Sequence, residues 1–141
     1  MLFDPENNIV KLCAEGMALE GSGEPGKAAM VFTKAWNEAS NDFEKFIAAH
    51  YIARHQKSTT DKLTWDKTAL EFALQIQDNS IKQAYPSLYL NIAKCYEDLN
   101  DLENARINYQ AAISFTDFLP NDSYGNMIRG GIMKGIEAIE D

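Results

Sequence analysis

The chain has 141 residues, enough for one domain that buries about 70 % of the surface its unfolded form exposes. Hydrophobic residues make up 45 % and charged residues 24 %, the balance of an ordinary globular protein rather than of a disordered or membrane-spanning one. The net charge of −8 excludes a general nucleic-acid binder, whose phosphate contacts need clustered Lys and Arg, and it disfavours an anionic membrane surface.

In chain order, Asp4-Pro5-Glu6 predicts a helix start, with Asp as cap and Pro in the first turn. Ile9, Leu12, Cys13, Gly16, Met17 and Leu19 follow at helical spacing, and Gly21-Ser22-Gly23 stops the helix. Glu24-Pro25 opens a second helix holding Ala28, Phe32, Ala35 and Trp36. Asn41 and Glu44 have the spacing of a capping box and start a third helix with Phe46, Ile47, Ala49, His50 and Ala53. After the polar Lys57-Ser58-Thr59-Thr60, capped by Ser58 or Thr60, a fourth helix carries Leu63, Trp65, Ala69 and Ala73 and runs to Asp78-Asn79-Ser80.

Pro86 pushes the residue before it out of the helical region, so a fifth helix is expected to begin at the proline. It presents Leu88, Tyr89, Ile92, Ala93 and Tyr96 as one stripe. Asn100-Asp101 then supplies a stop and an N-cap in two residues, and Leu102, Ala105, Tyr109 and Ala112 form the stripe of a sixth helix. A seventh, capped by Asp122 or Ser123, turns Tyr124, Met127, Ile128, Ile132, Ile136 and Ile139 to one side. Its Gly131 and Gly135 predict close approach to the preceding helix rather than a membrane dimer face, because the segment is not an apolar 20-mer. No strand pattern occurs, and about seven helices with short connections make an all-α antiparallel stack.

Chemistry finds little support. His50 and His55 are five positions apart, about 140° around a helix, and cannot chelate one metal in the i, i+4 manner. Cys13 and Cys95 sit in helical patterns and read as free, buried thiols. No Gly-rich phosphate loop and no nucleophile–base grouping appears, so neither catalysis, a cofactor nor a metal is expected. The N-terminal stretch lacks the basic and apolar regions of a secretory signal, and no apolar run reaches membrane length. The expected location is therefore cytoplasmic.

Residues 86–120 resemble the tetratricopeptide repeat, a helix-turn-helix of about 34 residues. Tyr89, Ile92-Ala93 and Tyr96 stand at the large and small positions of its first helix, and Ala105, Tyr109 and Ala112 at those of its second. Asn100 replaces the turn glycine, and Pro120 falls three residues late, which predicts a second helix one turn longer. The same frame fits Leu12, Gly16, Leu19, Gly23, Ala28, Phe32 and Ala35 near the N-terminus. The middle pair fits less well, with His50 where Gly or Ala is expected. Small residues at Gly16, Ala93 and Ala105 face large ones at Phe32, Tyr96 and Tyr109 across the predicted hairpins.

The resemblance implies a single domain over residues 1–141. Its repeat pairs span about 5–40, 42–78 and 84–118, with a capping helix over about 122–140, in a short right-handed α-solenoid. It further implies a non-catalytic module that binds a protein or peptide partner in a concave groove lined by the first helix of each pair. Carried over residue by residue, the groove side shows Cys13, Met17 and Glu20, then Ile47, Tyr51, Arg54 and His55, then Ser87, Leu90, Asn91 and Lys94. Tyr51, Arg54, His55, Asn91 and Lys94 are the candidate partner contacts, and Arg54 and Lys94 are the cations suited to a carboxylate. Chaperone-binding members of the family use a two-carboxylate clamp of Lys and Asn. Asn91 and Lys94 match part of it, whereas Cys13 and Met17 stand where the first unit would supply its own.

A structural alternative stays open: Tyr51 in the core, His55 solvated at a helix end, Arg54 paired with a nearby acid. So do two other functions, a small-ligand or signal-peptide sensor and a structural homo-oligomer. Trp36 and Trp65 are expected to pack between pairs.

Overall fold

A computed structural model describes residues 3–140. Among them seven α-helices and two short 3-10 turns form, and no strand: α1 (Asn8–Gly21), α2 (Pro25–Glu38), α3 (Asp42–Ala53), α4 (Thr59–Leu74), α5 (Tyr85–Asp98), α6 (Leu102–Ser114) and α7 (Ser123–Glu140). The contacts divide the chain into two compact units, residues 1–78 and 79–141.

In the N-terminal unit, α1 and α2 form one antiparallel hairpin, α3 and α4 a second, and α3 packs on both helices of the first. The connection from α1 to α2 is a Schellman turn. Glu24 N–H donates to Leu19 O at 2.9 Å and Gly23 N–H to Glu20 O at 3.1 Å, with Gly23 at φ +76°. This close turn lets the Phe32 ring lie directly over Gly16, where a Cβ would collide with it. Phe32 and Ala28 are fully buried as a result. Trp36 of α2 meets Trp65 of α4 edge-on at 5.0 Å between ring centroids, which packs the two hairpins together as expected.

Three local expectations are corrected in this unit. Asp4-Pro5 forms a turn ahead of α1, and the cap is Asn7, whose Oδ1 accepts from the backbone of Ile9 and Val10 at 2.8 and 3.0 Å. The α3 start keeps half of its capping box. Asn41 Oδ1 accepts from Glu44 N–H at 2.8 Å, but the Glu44 carboxylate turns to Ser40 N–H and to the Asn7 side chain. Burial raises the pKa of that carboxyl group, and the hydrogen bonds from Ser40, Asn7 and Asn41 outweigh it, so the net shift is downward. Ser58 caps α4, and α4 ends at Leu74, before Asp78.

In the C-terminal unit, α5 and α6 form the hairpin and α7 packs on both. Asn100 takes the left-handed conformation at φ +60°, and Asp101 Oδ1 caps α6 through Asn104 N–H at 3.2 Å. The fifth helix begins at Tyr85, one residue before the proline, since Pro tolerates the first helical turn. The extra residues before Pro120 form a 3-10 turn, Thr116–Phe118, rather than a longer α6. The side chain of Arg129 holds that turn by donating to the carbonyls of Thr116, Leu119 and Pro120. Asp122 caps α7 through Gly125 N–H at 2.8 Å.

The core of this unit joins Leu90 and Ala93 to Ala105, Tyr109 and Ala112 and to Ile128, Ile132 and Ile139. Gly135 seats the Tyr109 ring and Gly131 lies against Leu90, so both glycines serve close approach. Tyr124 and Met127, expected inside, are exposed, because α7 presents to α5 and α6 the narrower stripe of Ile128, Ile132, Ile136 and Ile139.

Candidate functional site

The five candidate contacts fall into two groups, one in each unit. In the N-terminal unit Tyr51 lies on α3, and Arg54 and His55 follow directly at its C-terminal end. Tyr51 is half-buried and stacks on Phe32, with centroids 5.1 Å apart and planes 15° apart. The Arg54 guanidinium sits 5.4 Å over the Tyr51 ring. His55 leans on Phe32 and places Nε2 2.8 Å from Oε2 of Glu20. Arg54 reaches Oε1 of the same carboxylate at 3.4 Å. One carboxylate from the last turn of α1 therefore holds two basic side chains at the end of α3. Glu20 stands at the negative end of its helix dipole, an unfavourable place for an acid, and the Arg54 charge together with the His55 contact offsets that cost.

The expected groove side needs correction here. Ile47 and Cys13 are buried, because α1, α2 and α3 close over them. Burial pushes the Cys13 thiol up to about 12, and the side chain packs in the core. Cys13 and Cys95 are both buried and are not joined in a disulfide. Met17, by contrast, is exposed. His50 sits beneath this cluster with its ring against Phe46 and Tyr51, and its Nδ1 is enclosed without a hydrogen-bond partner.

In the C-terminal unit Asn91 is half-buried and Lys94 exposed, both on α5. Leu90 is not available for contact, since α7 covers it. Lys94 borders a depression of about 390 Å³ between α5, α6 and α7, shared with Glu97, Asp98, Tyr109, Gly131, Lys134, Gly135 and Ala138. Tyr109 donates its hydroxyl to Glu97 Oε1 at 2.7 Å. Burial, that hydrogen bond and the charges of Glu97 and Asp98 hold the phenol proton far above its ordinary range, so it stays a donor. Among the described residues neither Lys94 nor Lys134 makes an ion pair, whereas Lys11, Lys27, Arg54 and Lys62 each do. Lys134 was not expected at this site. Its spacing after Gly131 shows that it shares a helix face with the contact to Leu90, which is the only signal that could have placed it beside Lys94.

Among the described residues no three His, Cys, Asp or Glu side chains gather as a metal-binding group, and no helix is long and apolar enough to cross a membrane. A family model for the tetratricopeptide repeat matches residues 86–116, the α5–α6 hairpin and its neighbouring turn. Over these residues the chain is similar to a tetratricopeptide repeat. No curated protein and no solved structure matches it. The TPR match covers the hairpin whose turn residue, Asn100, takes the left-handed conformation, and whose Ala93, Ala105 and Tyr109 are the small and large residues of its buried face.

Proposed function

We propose that this TPR-like chain is a non-catalytic module that binds a segment of another protein along the faces of its first helices. The contacts are Tyr51, Arg54 and His55 in one unit and Asn91 and Lys94 in the other. The observation that carries this reading is the pair of ammonium groups, Lys94 and Lys134, bordering one depression without an ion-pair partner among the described residues of a strongly acidic chain. Such groups are suited to a carboxylate on an incoming chain. Floor residues Gly131, Gly135 and Ala138 leave room for its backbone.

Peptides selected by display against the whole protein supply a ligand for the test. The double substitution Asn91→Ala and Lys94→Ala should weaken their binding at least tenfold, about 1.4 kcal/mol. The melting temperature should stay unchanged, because neither side chain belongs to the buried core. Equal affinity in wild type and variant removes these two residues from the site.

A further inference from the structure

We propose that Glu20 is an internal occupant of the basic site formed by Arg54 and His55, and that a carboxylate on the binding partner displaces it. The proposal rests on the reading of this face as a binding surface and names what the face selects, an acidic segment, and what restrains it.

Three features of the geometry point this way. Arg54 meets Glu20 through a single nitrogen at 3.4 Å, not through the paired contacts of a fork, so most of its donors are unused by that carboxylate. Its side chain is 48 % exposed, and the Tyr51 ring beneath it fixes the guanidinium plane within reach of solvent. Glu20 itself is pinned on one oxygen by the less exposed His55 and on the other by Arg54, so both of its oxygens face the basic groups that an incoming acid would use. A ligand carboxylate that takes Arg54 must first compete with Glu20. The apparent affinity is then lowered by the fraction of molecules in which Glu20 has let go.

The test uses the whole protein and two synthetic probes, N-acetylated and C-amidated hexaglutamate and hexaglutamine. If Glu20 leaves Arg54 in about one molecule in ten, Glu20→Gln binds hexaglutamate about tenfold more tightly than wild type does. Adding Arg54→Gln abolishes that gain, and hexaglutamine binds none of the three proteins. Should the Glu20→Gln protein loosen at the α1–α3 contact, wild type labelled with ¹³C at the glutamate carboxylates gives an independent reading: the Glu20 signal moves as hexaglutamate is added. An unchanged or weaker affinity in Glu20→Gln, or a Glu20 signal that stays still, overturns the proposal. The wider binding reading is then judged separately, by the Asn91 and Lys94 variant.

Discussion

Gly135→Ala destabilises the C-terminal unit by about 2 kcal/mol, while Gly130→Ala, five residues earlier on the same helix, stabilises it by about 1 kcal/mol. The contrast follows from what each new methyl group meets. At Gly130 a Cβ meets nothing and only the helix propensity of alanine is felt. At Gly135 it meets the ring of Tyr109, which is 1 % exposed and tied by its hydroxyl to Glu97. The ring has no room to swing aside, and overpacking of this kind costs about 1–3 kcal/mol, more than the propensity gain returns. Urea unfolding followed by circular dichroism measures both variants. Combining Gly135→Ala with Tyr109→Leu opens the space again, so the double variant should recover at least 1 kcal/mol relative to the sum of the two single changes. Strict additivity would mean that α7 does not seat on Tyr109.

The second large effect is acid lability from His50. Burial chiefly, then the positive charges of Arg54 and Lys62, hold its pKa at about 4, below the ordinary value of 6.5. The residue keeps a little surface, but Nδ1 is enclosed and unpartnered, so protonation in the folded chain has no local compensation. The sign is fixed by that order: the unfolded chain takes up the proton first. The stability is complete above about pH 6.5 and is lost as the pH falls from there through about 4, by roughly 3 kcal/mol. His50→Leu removes both the titration and the unsatisfied nitrogen. The variant should be more stable than wild type by about 1 kcal/mol at pH 7 and by clearly more at pH 4, measured by denaturant unfolding at the two pH values. A constant difference between the two would show that His50 is not the group responsible.

The fold was legible where local chemistry and the repeat spacing agree. Asn100-Asp101 reads as a stop and a cap and serves as both, and Gly16 opposite Phe32 reads as a small–large pair and packs as one. Gly131 and Gly135 of α7 read as close approach and serve it. Legibility failed at helix ends with competing caps. Asp4 and Asn7 are both good caps, and only the tertiary hydrogen bond from Asn7 to Glu44 singles out the second.

The site was less legible for a related reason. The groove frame assigns a face to each first helix but says nothing of what covers it. Ile47 and Leu90 are therefore buried by the neighbouring helices α1 and α7. Arg54 and His55 keep their expected neighbourhood with Tyr51, but the acid that engages them comes from α1, far away in sequence. The structural alternative for Arg54, pairing with an acid, is thus met by Glu20, itself one of the expected groove residues. Lys134 lay outside the frame altogether, because α7 reads as a solvating cap and its second face meets α5 only in the folded unit.

The residues that a bound peptide touches decide most directly between the proposed faces and any other. Chemical-shift mapping of the ¹⁵N-labelled chain with display-selected peptides should perturb Asn91, Lys94, Gly131 and Lys134 around the depression of the C-terminal unit, or, in the N-terminal unit, Tyr51, Arg54 and His55. Perturbations confined to the outer face of α2 around Met30, with these residues silent, would contradict both faces.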